Sequence, residues 1–286
     1  MRVDEAYERC RAIAKIEARN FYYGFILLDG PRRDGIHAVY AFSRRCDDSV
    51  DGDESMEWKR AALVSRRREI DDCVRGEVDQ TDAVLVALAH AIQRFQIPRA
   101  PFDALIDGVE MDLTTRRYPD VETLTGYCDR VAGGVGILSL HVFGFSDPRA
   151  PQHAADLGVA MQIVNILRDV AEDAERDRIY LPQDEMAAHG VSDSDISRGQ
   201  LTPNLASLLG RQATRSRELF VQGKRLLPLL DQRSRMCVGT LAGLYESILD
   251  EIELRGFDVF RERISLSGPR KLALAGRQVL AGARSR

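Results

Sequence analysis

Apolar residues recur at three- and four-residue intervals through most of the chain, with charged residues filling the opposite positions. That period is helical. It predicts a charged, alanine-rich helix over 5–18 and amphipathic helices over 36–51, 58–74, 82–95 and 102–113. The pattern continues over 124–143, 153–172, 205–227 and 236–255. Its interruptions fall at Gly30-Pro31, Pro98 to Pro101, Tyr118-Pro119, Asp147-Pro148, Leu181-Pro182, Thr202-Pro203 and Gly268-Pro269, residues that stop or start helices. No alternating β-branched run of strand length, internal repeat or low-complexity linker stands out. The expectation is an all-α chain forming one domain over 1–286, with roughly ten helices around a common centre.

Composition narrows the function. At 286 residues, 44% hydrophobic and 29% charged, the chain can bury a sizeable core and is not a disordered sequence. Forty basic residues against 44 acidic give a net charge of −4, which argues against nucleic acid as a partner. The longest uncharged stretch, 131–146, contains four glycines and is shorter than the ~20 apolar residues of a membrane span. Acidic residues stand at the N-terminus where a signal peptide would be apolar. The five cysteines form no CxxC pair and are read as reduced thiols of a cytoplasmic protein.

Two acidic clusters follow apolar runs. Asp47 and Asp51 are four apart and share one helix face with Tyr40 and Arg44. Acids at a helix C-terminus oppose the macrodipole, so a patch made of Asp47, Asp48, Asp51, Asp53 and Glu54 calls for divalent cations. An EF-hand fits only its first half, because Trp58 stands where a bidentate Glu is required. In the second cluster Asp169 and Asp173 repeat the spacing, and Gln162 and Asn165 precede them within one ~80° sector of a helix. Two amides inside an apolar run are costly unless they line a polar cavity. Opposed across a cavity, the clusters would hold Mg²⁺ ions that bridge to a diphosphate, with Arg44 and Arg168 on its oxygens. The implied chemistry is departure of diphosphate from a carbon that becomes cationic in an apolar pocket. The small residues 132–134 and 136, just after Tyr127, permit close helix packing, or a kink that shapes a tunnel with Tyr127 at its mouth.

Together these segments resemble the squalene/phytoene synthases, the head-to-head prenyl synthases. The matching stretches are NFYYGF at 20–25, YAFSRRCDDSVD at 40–51, GVEMDL at 108–113, YCDRVAGGVG at 127–136, MQIVNILRDVAEDAERDRIYLP at 161–182 and YESILDEIELRGFDVF at 245–260. ARNFYYGF and GVEMDLTTRRY bring the chain nearest the bacterial presqualene diphosphate synthases of hopanoid pathways. The resemblance implies an isoprenoid-synthase-type bundle around a central cavity, with Mg²⁺ held by Asp47, Asp51, Asp169 and Asp173. It implies that Tyr40, Arg44, Arg168 and Tyr180 hold or release diphosphate, and that Gln162 and Asn165 are polar wall residues. Phe21, Tyr127, Val131 and Tyr245 correspond to positions lining the isoprenoid sites. Arg263, preferred over Arg261, corresponds to a further phosphate contact. Tyr40, Arg44, Tyr127, Arg168 and Tyr180 form the implied catalytic group. The first motif also satisfies the DDxxD of chain-elongating enzymes; the second, Asp169-Val-Ala-Glu-Asp173, does not.

The expected reaction is condensation of two farnesyl diphosphates to presqualene diphosphate. The alternatives are phytoene formation from geranylgeranyl diphosphate, squalene synthesis, and a non-catalytic helical assembly factor of the same fold. Expected partners are the prenyl diphosphate and downstream pathway enzymes. From Arg263 onward the chain has six basic residues and no acidic one. The first reading is a solvated helix; the second is peripheral contact with an anionic membrane.

Overall fold

The computed structural model describes residues 1–18 and 20–284. The elements are α1 (Val3–Glu17), α2 (Tyr22–Phe25), α3 (Gly30–Asp48), α4 (Met56–Arg75), α5 (Ala83–Phe95), α6 (Ala100–Thr114) and α7 (Val121–Cys128). A π-helical turn, Asp129–Gly133, joins α7 to α8 (Gly134–Phe143). Then come α9 (Ala150–Arg168), α10 (Val170–Glu175), α11 (Gln183–Ala188), α12 (Asp193–Ser197), α13 (Pro203–Gly223), a 3₁₀ turn (Lys224–Leu229), α14 (Gln232–Leu254) and α15 (Gly268–Arg284). Among the described residues the only extended pairing is one bridge between Arg117 and Ile179. The all-α expectation holds, and the helical period placed the long helices through α14, while α15 lies in the basic tail beyond those ranges. The short helices α2, α11 and α12 carry too few turns to show a period.

The helix ends follow local chemistry. Asp29 accepts from the Arg32 amide at 3.1 Å and Pro31 occupies the first turn, so α3 starts six residues earlier than its apolar pattern. Ser55, Asp82, Asp120, Thr202 and Asp231 cap α4, α5, α7, α13 and α14 in the same way. Gly76, at φ 74°, closes α4 in the left-handed region that a Cβ would strain. Asp82 also holds Arg45, which grips it through two hydrogen bonds of 2.8 and 2.9 Å. This fork ties the last turn of α3 to the start of α5 and leaves Arg44 and Asp47 facing the opposite way.

Two expected helices are divided. Helix 153–172 breaks at Asp169, where α9 ends and α10 begins with backbone angles of −104° and 14°. Helix 124–143 carries the π turn in its middle. The glycines near that turn permit close approach. A Cβ at Gly158 of α9 would strike the Ala132 carbonyl, and one at Gly136 would strike the Ala154 carbonyl. The π turn and α8 therefore pack tightly on α9. The five cysteines are free and buried. No helix among the described residues is long and apolar enough to cross a membrane. Of the basic tail, the Arg284 side chain and all of Arg286 lie outside the described residues.

Candidate active site

A cavity of about 280 Å³ opens between α2, α3, the π turn, α8, α9, the 3₁₀ turn and α14. Its deep walls are apolar, formed by residues such as Phe25, Val39, Phe143, Leu226 and Leu241. Polar groups gather at one side. Tyr40, Arg44 and Asp47 come from a single stripe of α3, and Gln162 and Asn165 from α9. Phe21, Val131 and Tyr245 also line it, with the Phe21 ring 6.2 Å from Tyr40 and 5.7 Å from Tyr245. Asn165 donates to Gln162 Oε1 at 3.2 Å, so the two amides partly satisfy each other. Eight of the residues expected from the sequence thus share one chamber.

The remaining seven lie elsewhere. Tyr127, expected at the mouth of a tunnel, is instead 4% exposed and does not line this cavity. Its hydroxyl donates to Asp112 Oδ2 at 3.1 Å, and that of Tyr180 donates to Asp112 Oδ1 at 2.8 Å. The rings of Tyr118, Tyr127 and Tyr180 stack around the carboxylate at centroid distances of 5.2 to 5.5 Å. Burial raises both phenols well above the ordinary tyrosine range and lifts the Asp112 carboxyl, with Arg178 opposing the rise at Asp112. Arg178 donates to the Asp112 carbonyl at 3.2 Å and reaches within 3.9 Å of Asp51. Asp112 and Arg178 lie within the matching stretches 108–113 and 161–182, which give neither of them a role.

Neither aspartate pair sits on one straight helix. Helix α3 ends at Asp48, so Asp51 lies beyond it, yet its amide still reaches the Asp47 carbonyl at 3.1 Å. Across the break at Asp169, the Asp173 amide bonds the Asp169 carbonyl at 2.9 Å. One i→i+4 turn therefore preserves each spacing without a continuous helix. Asp169 is gripped by Arg168, at 2.8 and 2.5 Å, and by Arg263, at 3.2 and 3.3 Å. Burial alone would raise its carboxyl, but the two guanidinium groups outweigh it and hold the group below the usual range. Arg263 also meets Glu172 at 3.2 Å, whereas Arg261 pairs with Asp258 and is 86% exposed on its side chain. Of the two arginines, Arg263 is the one that reaches the second aspartate motif.

Asp47 and Asp173 behave oppositely. Burial pushes each carboxyl up to about 7, Asp51 adding to it at Asp47 and Asp169 at Asp173. Asp112 acts on both, which places it electrostatically between the two motifs. Among the described residues no three acidic or imidazole groups converge as a ready-made metal site. The arrangement is instead a set of hard oxygen donors on separate elements, two of them short of positive charge. That fits a small cation that takes few protein carboxylates and completes its shell with waters and phosphate oxygens.

The squalene/phytoene synthase family model matches residues 14–270. The chain belongs to the squalene/phytoene synthase family. It is 40% identical over 276 residues to a phytoene synthase of Mycobacterium bovis, covering 96% of this chain and 90% of that one. It is 38% identical to a 15-cis-phytoene synthase of Synechococcus elongatus, covering 94% and 91% of the two chains. Among solved structures it resembles a dehydrosqualene synthase in complex with ligand, at a TM-score of 0.91 and 28% identity, over 99% of this chain and 98% of that one. As a squalene/phytoene synthase the protein is a prenyltransferase that condenses prenyl diphosphates head to head.

Proposed function

We propose that this enzyme is a phytoene synthase that joins two geranylgeranyl diphosphates. The observation that carries this reading is the near-full-length identity of 38 to 40% to proteins named phytoene synthase. It favours the C20 substrate over the C15 substrate of the presqualene reading. The chemistry is self-contained. One substrate loses diphosphate, its C1 cation is attacked by the C2–C3 double bond of the other, and a cyclopropane closes as a proton leaves. Loss of the second diphosphate, rearrangement and loss of a second proton give a C40 hydrocarbon with no reductant consumed.

Asp47, Asp51, Asp169 and Asp173 are the residues that would hold Mg²⁺, which when bound neutralises charge on the departing diphosphate. Arg44, Arg168 and Arg263 rest on carboxylates in the ligand-free protein: Arg44 on Asp48 at 2.6 Å, the other two on Asp169. On substrate binding they exchange these partners for phosphate oxygens and leave Asp169 free to ligate. Tyr40 and Asn165 bound the polar side of the chamber and orient C1 of the allylic chain, while the apolar walls exclude water from the cation. Tyr127 and Tyr180 stay neutral with their protons directed at Asp112, so neither offers a phenolate as base. The released diphosphate is then the acceptor of the first proton.

Incubation with farnesyl and geranylgeranyl diphosphate separately, with Mg²⁺ and without NADPH, tests the assignment. Phytoene from the C20 substrate supports it. Presqualene diphosphate from the C15 substrate, with no C40 product, restores the other reading. No coupling product from either would favour the assembly factor.

A further inference from the structure

The residues that line the chamber form one stripe on each of three helices, and the stripes give it a direction. On α3 they run from Ile36 to Asp47 and on α9 from Ala154 to Asn165, each a rise of ~17 Å that ends at the polar groups. Helix α8 runs the other way: the close approach to α9 passes from Ala132 against Gly158 to Gly136 against Ala154. The α8 stripe, Val135, Gly136, Ser139 and Phe143, therefore leads away from the aspartates. Three contacts place its end at the far end of the chamber. Ser234 Oγ, in the first turn of α14, donates to the Phe143 carbonyl at 3.4 Å. Arg32, in the first turn of α3, is what a Cβ at Gly144 would meet, and it pairs with Asp231, the cap of α14, at 3.0 Å. Phe143 is the last residue of α8, because Gly144 turns the chain aside at φ 80°. It is 4% exposed and Phe145 is 36% exposed, so the protein surface lies close behind the Phe143 ring.

We propose that Phe143 is the floor that sets how long a prenyl chain the enzyme accepts, and that Ser139, one turn nearer the polar groups, leaves room for the last five-carbon unit. Phe143 is the bulkiest side chain at this end, where Ile36, Ala154 and Val238 are the other lining residues. Ser139 is small, and its hydroxyl donates to the Val135 carbonyl of its own helix at 2.8 Å, so it presents little bulk and no free donor to a hydrocarbon. The two positions are four residues apart on one face, a rise of ~6 Å, about the length of one extended five-carbon unit. Bulk added at 139 therefore shortens the chamber by about one unit, and bulk removed at 143 lengthens it by about one. This rests on the phytoene reading for its starting point, in which a C20 chain fills the chamber as far as the Phe143 ring.

The test measures kcat/KM of the full-length enzyme on farnesyl, geranylgeranyl and geranylfarnesyl diphosphate as single substrates, with products identified by mass. Phe143→Ala and the milder Phe143→Leu should raise the C25-to-C20 ratio at least ~10-fold, and Ser139→Phe and the milder Ser139→Leu should lower the C20-to-C15 ratio at least ~10-fold. Circular dichroism identifies the folded variants, and the leucine variants change volume least. Phe145→Ala, at the same helix end but outside the chamber lining, should leave both ratios as in wild type. Ratios within ~3-fold of wild type at either position, or shifted equally by Phe145→Ala, overturn the proposal. A wild type that couples only farnesyl diphosphate overturns the phytoene assignment instead; Phe143→Ala must then admit geranylgeranyl diphosphate for the floor to stand, and its failure to do so overturns the floor as well.

Discussion

Tyr180 donates to Asp112 across 2.8 Å from the far side of a chain separation of 68 residues. With Tyr127 on the other carboxylate oxygen, Asp112 fixes two phenols between the aspartate motifs. Asp112 is a positioning residue in this arrangement. Asp112→Asn keeps the shape but turns an amide N–H toward one hydroxyl, so one charge-assisted bond is lost and the other becomes a neutral one. Each is worth roughly 1.5–3 kcal/mol, and misplacement by ~1 Å costs roughly 100-fold in rate. kcat should fall ~10- to 100-fold while KM stays within ~3-fold. A variant with normal kcat would show that the cluster is only structural.

The aspartates give a second outcome. Asp47 and Asp173 are raised to about 7 by burial and neighbouring carboxylates, so their charged forms are unfavourable in the metal-free fold. Asp47→Asn and Asp173→Asn should each lower kcat/KM at least ~100-fold while leaving the melting temperature of metal-free protein equal or higher. EDTA should abolish wild-type activity and Mg²⁺ restore it. Activity in metal-free buffer, or a large loss of stability in either variant, would refute the assigned role.

Much of this arrangement is legible in the amino-acid order. Tyr40, Arg44 and Asp47 fall on one helical stripe, and that stripe does face the cavity. Asp112 carries a signal too: it lies in the GVEMDL stretch, although that stretch assigns it no role. From within GVEMDL it follows Phe102, Leu105, Ile106 and Val109 on the buried stripe of α6, a position where an acid needs partners. Arg178 is hidden in the charged run EDAERDR, where nothing local separates it from solvated neighbours. The break at Asp169 is not legible, because apolar period continues through it. What ends α9 there accompanies a local grip on Asp169 by Arg168 and a tertiary one by Arg263, 94 residues away.

Arginine variants separate the site from the surface. Arg44 borders the cavity, and Arg44→Ala should cost ~1.5–3 kcal/mol of transition-state binding, roughly 10- to 150-fold in kcat/KM. Arg67 bridges Asp107 at 2.7 Å and Glu110 at 2.8 Å on the outside of α4 and α6. Such exposed pairs contribute about 0–1 kcal/mol, so Arg67→Ala should leave turnover unchanged. Equal losses at the two positions would mean that the catalytic face has been misassigned.

Glu185 predicts an acid limit to stability. Burial opposes its charge, but hydrogen bonds from Arg215, Arg211 and Gln212 prevail and draw its carboxyl down to about 2. The folded value lies below the unfolded one, so the stabilisation is present above the unfolded pKa of about 4.5 and is lost as pH falls toward 2. Arg211 is itself 58% exposed, which screens part of the effect. Urea melts of wild type should lose about 2 kcal/mol more between pH 5 and pH 2 than melts of Glu185→Gln. Parallel pH profiles would remove Glu185 as the cause.

Gly158 tests whether helix packing and cavity shape are one feature. Its missing side chain lets α9 approach the π turn so closely that an added Cβ would meet the Ala132 carbonyl and the Gly133 amide, both backbone. Backbone cannot rotate aside as a side chain can, so Gly158→Ala must separate α9 from the turn. Overpacking of this kind costs about 1–3 kcal/mol, with only a fraction returned by the better helix propensity of Ala. Gly158, Val131 and Ala132 also line the cavity, so the same displacement moves the wall that holds the prenyl chain. The expected result is a lower melting temperature together with a raised KM for the prenyl diphosphate. A solvent-facing control, Gly276→Ala on α15, has nothing within reach of its Cβ and should be neutral or slightly stabilising. If Gly158→Ala loses stability but leaves KM unchanged, the glycines near the π turn serve packing alone.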